Sequence, residues 1–374
     1  MKYYLIAGEA SGDLHGSNLI KALKAIDHKA DIRCWGGDLM QNAGGILANH
    51  YKELAFMGFL EVLTNIKKIF KNIAFCKQDI QQFNPDILVF IDYSGFNLRI
   101  AKWAKDKGFK TSYYIAPQIW ASREGRIEKI KNTIDAMYVT LPFEKKFYEK
   151  KHNFKVNFVG HPLLDAVKIT PKIDVLGFKK AHQLDLEKPI IALLPGSRKQ
   201  EVSKMLTLML SVVADFPDCQ FVIAGAPSLN LDFYNPFLKN SRVNLISNKT
   251  YDILQVARAA LVASGTATLE AALFKVPQVV CYKGNWISYQ IAKRIITLKY
   301  ISLVNLIMDK EVVKELIQEE LNTKNLKTEL NHILNPEKRG IILKNYGILE
   351  VKLGGEGASK KTAELIYDKL KSNN

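Results

Sequence analysis

Cysteine is scarce in this chain: Cys34, Cys76, Cys219 and Cys281 lie far apart, with no CxxC pair and no paired-histidine spacing. That excludes a disulfide framework or a zinc finger and predicts reduced thiols in a cytoplasmic setting. Long apolar runs are absent as well. Ile87–Ile91 and Pro189–Leu194 are strand-sized, far short of the roughly 20 residues a membrane helix needs. The opening stretch, Met1–Ala7, runs straight into Gly8-Glu9 and is too short to read as a signal peptide. There is no GK[ST] phosphate loop and no GxGxxG turn, which argues against a P-loop NTPase or a dinucleotide enzyme. RNP, KH and zinc-finger signatures are missing, and the lysines are scattered rather than gathered in one stripe. A nucleic-acid partner is therefore not expected.

What the chain does have is length and positive charge. Its 374 residues suggest two domains, and 48% apolar content is enough for two cores. With 53 basic against 37 acidic side chains, the formal charge is +16. A surplus of that size by itself fits any polyanionic partner, nucleic acid, a phosphorylated substrate or an anionic membrane surface, and composition does not choose among them; the missing signatures are what set nucleic acid aside.

Continuous apolar runs alternate with helical stretches along both halves. In the first half Tyr3–Ala7, Ile32–Trp35, Ile87–Ile91, Thr111–Ile115, Ala136–Thr140 and Val156–Val159 read as strands, with a helix over Asp13–Ile26. In the second, Ile190–Leu194, Gln220–Ala224, Val243–Ile246, Ala260–Ala263 and Gln278–Tyr282 read as strands. Helices are expected at Lys199–Ala214, Thr266–Phe274, Glu311–Glu320 and Ser359–Leu370. Unbroken apolar strands fit parallel sheets covered on both faces, so the expected fold is α/β: two Rossmann-like, doubly wound domains. The expected division is 1–167, 168–350 and a final segment, 351–374, with a cleft between the two domains. Ligands of such sheets bind outside the carboxyl ends of the strands, which directs attention to the loops there.

Five loops carry candidate chemistry. After the first strand come Gly8-Glu9-Ala10-Ser11-Gly12-Asp13, small residues opening a helix. The same residues also read as a plain turn with Asp13 as N-cap, which leaves Glu9 unexplained. Ile91-Asp92 puts a carboxylate at the tip of an apolar strand, where burial would raise its pKa and suit it as a general base. The other reading of Asp92 is a turn cap. Trp120 and Arg123 put an aromatic ring and a cation on the same rim. In the second half, Ser197 and Arg198 follow a buried strand; Ser197 reads as a helix cap and Arg198 as a bidentate diphosphate ligand. Ser264-Gly265-Thr266 open another helix suited to phosphate, or capped by Thr266, and Glu270 one turn on suits two ribose hydroxyls.

Together these motifs resemble the lipid-A-disaccharide synthase family. The resemblance rests on Ala7–Asp13, Ile91-Asp92 with Phe96-Asn97, Leu141-Pro-Phe-Glu144, Val159-Gly-His-Pro-Leu163, Leu193–Arg198, Ala263–Ala267 and Tyr300–Asn305, in the family's order. It spans nearly the whole chain. One departure is Ser122, where the family commonly has a second tryptophan two positions after the first. The resemblance implies the GT-B fold, with a last helix that returns to the first domain. It implies an inverting glycosyltransferase that joins UDP-2,3-diacylglucosamine to 2,3-diacylglucosamine 1-phosphate (lipid X), releasing UDP. Asp92 would be the base, with Glu9 as support or rival, and Ser11, Asp13, Trp120 and Arg123 on the acceptor side. Arg198, Ser264, Gly265, Thr266, Glu270, Asn305 and Gln318 would hold the UDP moiety, without metal or other cofactor. A peptidoglycan-type glycosyltransferase or a UDP-sugar 2-epimerase is the alternative in the same architecture.

Acylated substrates imply contact with the inner face of the inner membrane. Phe56, Met57 and Phe59, then Ile66, Lys67, Ile69, Phe70 and Lys71, form a candidate basic amphipathic patch. A core-packed helix with solvated lysines fits the same periodicity. A homodimer is left open.

Overall fold

The computed structural model describes residues 1–53, 66–239, 242–284 and 299–372. It divides into two compact units: Met1–Asp165 with Leu353–Asn374, and Ala166–Lys352. In the first unit the strands are β1 (Lys2–Ala7), β2 (Asp31–Gly36), β3 (Ile46–His50), β4 (Ile87–Ile91), β5 (Thr111–Tyr114), β6 (Ala136–Val139) and β7 (Asn157–Phe158). They form one parallel sheet in the order β3-β2-β1-β4-β5-β6-β7.

Successive side chains of a strand point to opposite faces, and both faces here are apolar. Tyr4, Ile6, Leu88, Phe90 and Tyr113 enter one core, while Tyr3, Leu5, Ala7, Val89 and Tyr114 enter the other. The helix Ala10–Ile26 covers the second face together with Ala358–Lys371, through Leu19, Leu23, Ala363, Ile366 and Leu370. Ile66–Phe83, Ser94–Asp106 and Ile127–Thr133 cover the first. A buried polar chain ties Ile66–Phe83 to the sheet. Trp35 Nε1 donates to the Tyr4 hydroxyl (2.8 Å), which donates to Asp79, and Arg33 grips the same carboxylate with two bonds.

The second unit holds β8 (Ile190–Leu194), β9 (Gln220–Gly225), β10 (Val243–Ser247), β11 (Ala257–Ala263), β12 (Gln278–Tyr282) and β13 (Lys314–Ile317). This sheet is also parallel, in the order β10-β9-β8-β11-β12-β13. Both sheets share the doubly wound Rossmann order, which reverses between β1 and β4 in one and between β8 and β11 in the other.

Three expectations are corrected. β3 and β13 are strands that the sequence reading passed over, because Ile46–His50 and Lys314–Ile317 mix polar with apolar residues at a sheet edge. The helix expected at Glu311–Glu320 is instead β13 followed by a short 3-10 turn, Gln318–Glu320. The helix expected from Lys199 to Ala214 ends at Leu210.

Candidate active site

In the first unit Ala7 pairs with Ile91, so Gly8 and Asp92 leave the sheet side by side where the strand order reverses. Asp92 and Tyr93 both have φ +46°, left-handed backbone that non-glycine residues seldom adopt. Each such residue costs on the order of 1–3 kcal/mol and persists only where its surroundings hold it. Here they do. The buried Asn97 Nδ2 donates to the Asp92 carbonyl at 2.8 Å and reaches the Ile91 and Ile6 carbonyls at 3.3 Å. The Tyr113 hydroxyl donates to the same Asp92 carbonyl. Gly8 is needed because a Cβ there would lie 2.3 Å from the Tyr93 ring.

Burial holds the Asp92 carboxyl above the ordinary carboxylate range, opposed in part by the Tyr93 backbone N–H. A carboxylate of raised pKa, partly open to solvent at a strand tip, is equipped to accept a proton. Glu9 occupies the N-cap position of the helix Ala10–Ile26 in extended conformation, without a capping bond from its side chain, and lies close enough to Tyr93 to raise its hydroxyl pKa, after the larger effect of burial. Ser11 is exposed in the first turn of that helix.

Asp13 has a different task from the acceptor contact expected of it, and it is not an N-cap of its own helix either. It is buried, and its two oxygens accept from the backbone N–H groups of Gly37, Leu39 and Met40 at 2.8–3.1 Å. Those bonds cap the short helix Asp38–Asn42 from another element.

Trp120 donates through Nε1 to Glu144 Oε1 at 3.2 Å and meets Phe143 edge-on. Glu144 is buried, and its other oxygen accepts from the Thr140 and Leu141 N–H groups. Burial pushes its pKa up to about 7. Tyr148 donates to the Pro117 carbonyl at 3.1 Å, so two side chains from residues 142–151 hold the loop that carries Trp120. Arg123 is exposed on left-handed backbone, φ +62°.

In the second unit Leu194 pairs with Val262, so the loops after β8 and β11 also emerge together at the reversal of strand order. Gly196 turns with φ +106°, where a Cβ would strike the Glu201 carboxylate at 2.4 Å. Arg198 is the N-cap residue of the helix Lys199–Leu210; Ser197 does not cap it, but its carbonyl accepts from Ser228 Oγ at 3.0 Å. Ser264 donates from Oγ to the Ile301 carbonyl at 3.2 Å. Gly265, rather than Thr266, is the N-cap of Thr266–Leu273, and both residues are exposed. Glu270 accepts from the Tyr251 hydroxyl at 3.0 Å, and burial raises its pKa.

Asn305 is a correction. It is fully buried and its capacity is spent: Nδ2 donates to Val313 O and Glu315 Oε1, and Oδ1 accepts from the Val312 and Val313 N–H groups. It braces β13 instead of reaching a nucleotide. Gln318, at the tip of β13 with φ +53°, is buried with Nε2 unpartnered among the described residues.

The membrane patch is only partly described. Phe56, Met57 and Phe59, and the side chains of Ile66 and Lys67, lie outside the described residues. Ile69 packs on the core of the first unit and Ile73 is buried in it, which removes Ile69 from the lipid-facing set. The 3.6-residue period puts 69, 73, 76 and 80 on the sheet side. Phe70 is 61% exposed, and Lys71 is exposed beside it. Among the described residues no helix is long and apolar enough to cross a membrane. Nor, among them, does any group of three or more His, Cys, Asp or Glu stand ready to hold a metal ion.

The family model for lipid-A-disaccharide synthetase matches residues 3–369. The chain belongs to that family. The lipid-A-disaccharide synthase of Coxiella burnetii (strain CbuK_Q154) is 39% identical over 369 residues, covering 97% of both chains. Among solved structures, the S. aureus MnaA–UDP complex superposes with TM-score 0.69 at 15% identity, covering 99% of this chain and 97% of that one. The UDP-GlcNAc 2-epimerase of Neisseria meningitidis bound to UDP-GlcNAc gives 0.67 at 14%, covering 98% and 100%. Likeness at that identity speaks for the fold alone. Membership makes the chain a glycosyltransferase of lipid A biosynthesis with a GT-B fold.

Several residues that build the site carry no sequence signal of their own. Tyr113 and Tyr251 look like ordinary sheet or helix aromatics until their hydroxyls are placed. Asn97 and Glu144 stand inside motifs, but their bonds reach residues that only the fold brings near.

Proposed function

We propose that this chain transfers the 2,3-diacylglucosamine unit of its UDP donor to the 6-hydroxyl of 2,3-diacylglucosamine 1-phosphate. The product is the β-1,6 disaccharide 1-phosphate, and UDP leaves. Asp92 takes the proton of the acceptor hydroxyl as its oxygen attacks C1 of the donor. The C1–O bond to the diphosphate breaks, its electron pair goes to UDP, and the anomeric centre inverts in one displacement. The observation that carries this reading is the raised, strand-tip carboxylate of Asp92 on a strained, multiply bonded turn. Glu9 supports it from the adjoining strand tip, with Ser11, Trp120 and Arg123 toward the acceptor.

In the second unit Arg198 and the helix N-terminus at Ser264, Gly265 and Thr266 offset the diphosphate charge. Glu270, held by Tyr251, accepts from ribose, and Gln318 Nε2, unpartnered among the described residues, donates to the nucleotide. Because both substrates are acylated, the protein works at the inner face of the inner membrane. Phe70 and Lys71 contribute to that contact.

Mass spectrometry of a reaction with synthetic acylated donor and acceptor tests the assignment. A disaccharide monophosphate appearing with UDP is expected. Turnover of unacylated UDP-GlcNAc with no disaccharide product would replace it with an epimerase-type reaction.

A further inference from the structure

Two neighbouring helices next to the Asp92 turn carry cations that no carboxylate among the described residues pairs with. Arg99 and Lys102 sit one turn apart on the exposed side of Ser94–Asp106. Arg126 and Lys129, partly buried, sit one turn apart at the start of Ile127–Thr133, which packs against Ser94–Asp106. Arg123 precedes them. Burial and then the charges of Arg99, Lys102 and Arg126 lower the pKa of Lys129. Burial and then Arg123 lower that of Arg126, with a further contribution from Arg99. The five cations thus feel one another.

The carboxylates of this stretch are engaged elsewhere. Glu124 pairs with Lys151 (2.6 Å) and His152 (2.9 Å), and Glu128 with Lys131 (3.7 Å). Among the described residues none of the five cations forms an ion pair with a carboxylate. Repulsion of this kind is offset when an anion binds.

Its place is informative. Arg126 Nη1 donates to Ser94 Oγ at 3.1 Å, two residues beyond Asp92. The buried Tyr113 hydroxyl, which donates to the Asp92 carbonyl, also feels the charges of both Asp92 and Arg126. The guanidinium therefore lies against the start of the helix that follows the Asp92 turn.

We propose that Arg126 and Lys129, with Arg99, Lys102 and Arg123 around them, form the subsite for the phosphomonoester of the acceptor sugar. This rests on the reading of Asp92 as the base for the acceptor hydroxyl. In a hexose, C5 with its hydroxymethyl group and C1 with its phosphate both bond to the ring oxygen, so the two substituents share one edge of the ring. A base at the 6-hydroxyl then has the phosphate within a ring's width, where these cations stand. A planar guanidinium offers two parallel donors to phosphate oxygens, and the ammonium of Lys129 adds a point charge.

The test compares two synthetic diacylated acceptors, one with a 1-phosphate and one with a free 1-hydroxyl. The full-length enzyme and its Arg126→Ala, Lys129→Ala and Arg99→Ala variants are assayed with the same donor. The intact enzyme prefers the phosphorylated acceptor in kcat/KM, and Arg126→Ala or Lys129→Ala lowers that ratio by about tenfold to a hundredfold. Arg99→Ala lowers it less. A variant that merely disturbs the Asp92 turn slows both acceptors alike and leaves the ratio intact, which would overturn the subsite. So would an intact enzyme that does not discriminate. Sedimentation with phosphatidylglycerol vesicles separates the two sources of phosphate: loss of vesicle binding with an unchanged acceptor ratio would assign the cluster to lipid headgroups and overturn the proposal. Absence of disaccharide product from either acceptor would instead undo the proposed reaction.

Discussion

Asp92 combines two unfavourable conditions, left-handed backbone and a desolvated carboxylate. Neither helps folding, and both suit proton transfer. The sign of the linkage follows from its raised pKa. A carboxyl whose pKa is higher folded than unfolded contributes stability in acid, and that contribution is lost as pH rises through the folded value. Asp92→Asn should therefore abolish turnover and raise the melting temperature at neutral pH, with the gain fading toward the ordinary carboxyl value of 3.8. Thermal melts at the two pH values, beside a turnover assay, check both halves. A variant that keeps its rate would make Asp92 a turn residue and Glu9 the base. Asp13 is the instructive contrast: it too comes soon after a strand, in the first turn of Ala10–Ile26 among small residues, yet its oxygens are filled by three backbone N–H groups. Sequence spacing does not separate a carboxylate that caps a helix from one left partly open at a strand tip. Partners contributed by residues 37–40 do.

The turn after β4 is held by two neighbouring strands and a helix. Gly8 follows directly on β1, β5 supplies Tyr113, and the helix Ser94–Asp106 supplies Asn97. Gly8→Ala would drive a methyl group to 2.3 Å from the Tyr93 ring. Overpacking of this kind costs about 1–3 kcal/mol, and here it should also displace the Asp92 carboxylate and lower kcat. Gly95→Ala is the matched control, since a Cβ there meets nothing within 4 Å and the residue lies in a helix. It should be neutral or stabilising by roughly 0.5–1 kcal/mol. Equal losses in melting temperature for the two variants would refute the packing argument. At this scale the sequence was most legible where strands are central. Ile87–Ile91 and Ile190–Leu194 are apolar throughout because helices cover both faces, and their bounds match the structure, as do those of Gln278–Tyr282, polar at its first residue. Edge strands β3 and β13 carry polar residues, and that signal blurs.

For the whole molecule, the surplus of +16 and the exposed Phe70-Lys71 face bear on one property, attachment to an anionic bilayer. The helix Ile66–Phe83 buries Ile73, Cys76 and Ile80 against the sheet, so only its outer side is available to lipid. An interfacial lysine is worth about 1 kcal/mol, so Lys71→Ala should weaken binding to phosphatidylglycerol vesicles roughly fivefold, and Phe70→Glu by more. Sedimentation that is unaffected by either change, or by high salt, would remove this face from the contact. By itself the sequence determined the two sets of parallel strands and the loops that carry chemistry. A strand buried on both faces has to be an unbroken apolar run, and the polar or small residues that interrupt the pattern mark its ends. Only the tertiary structure decided which polar side chains in those loops are spent on bracing and which stay open. Hydrogen-bonding capacity is filled by neighbours that the fold supplies: Asn305 spends all of its own on residues 312–315, while Gln318 keeps a buried Nε2 without a partner among the described residues.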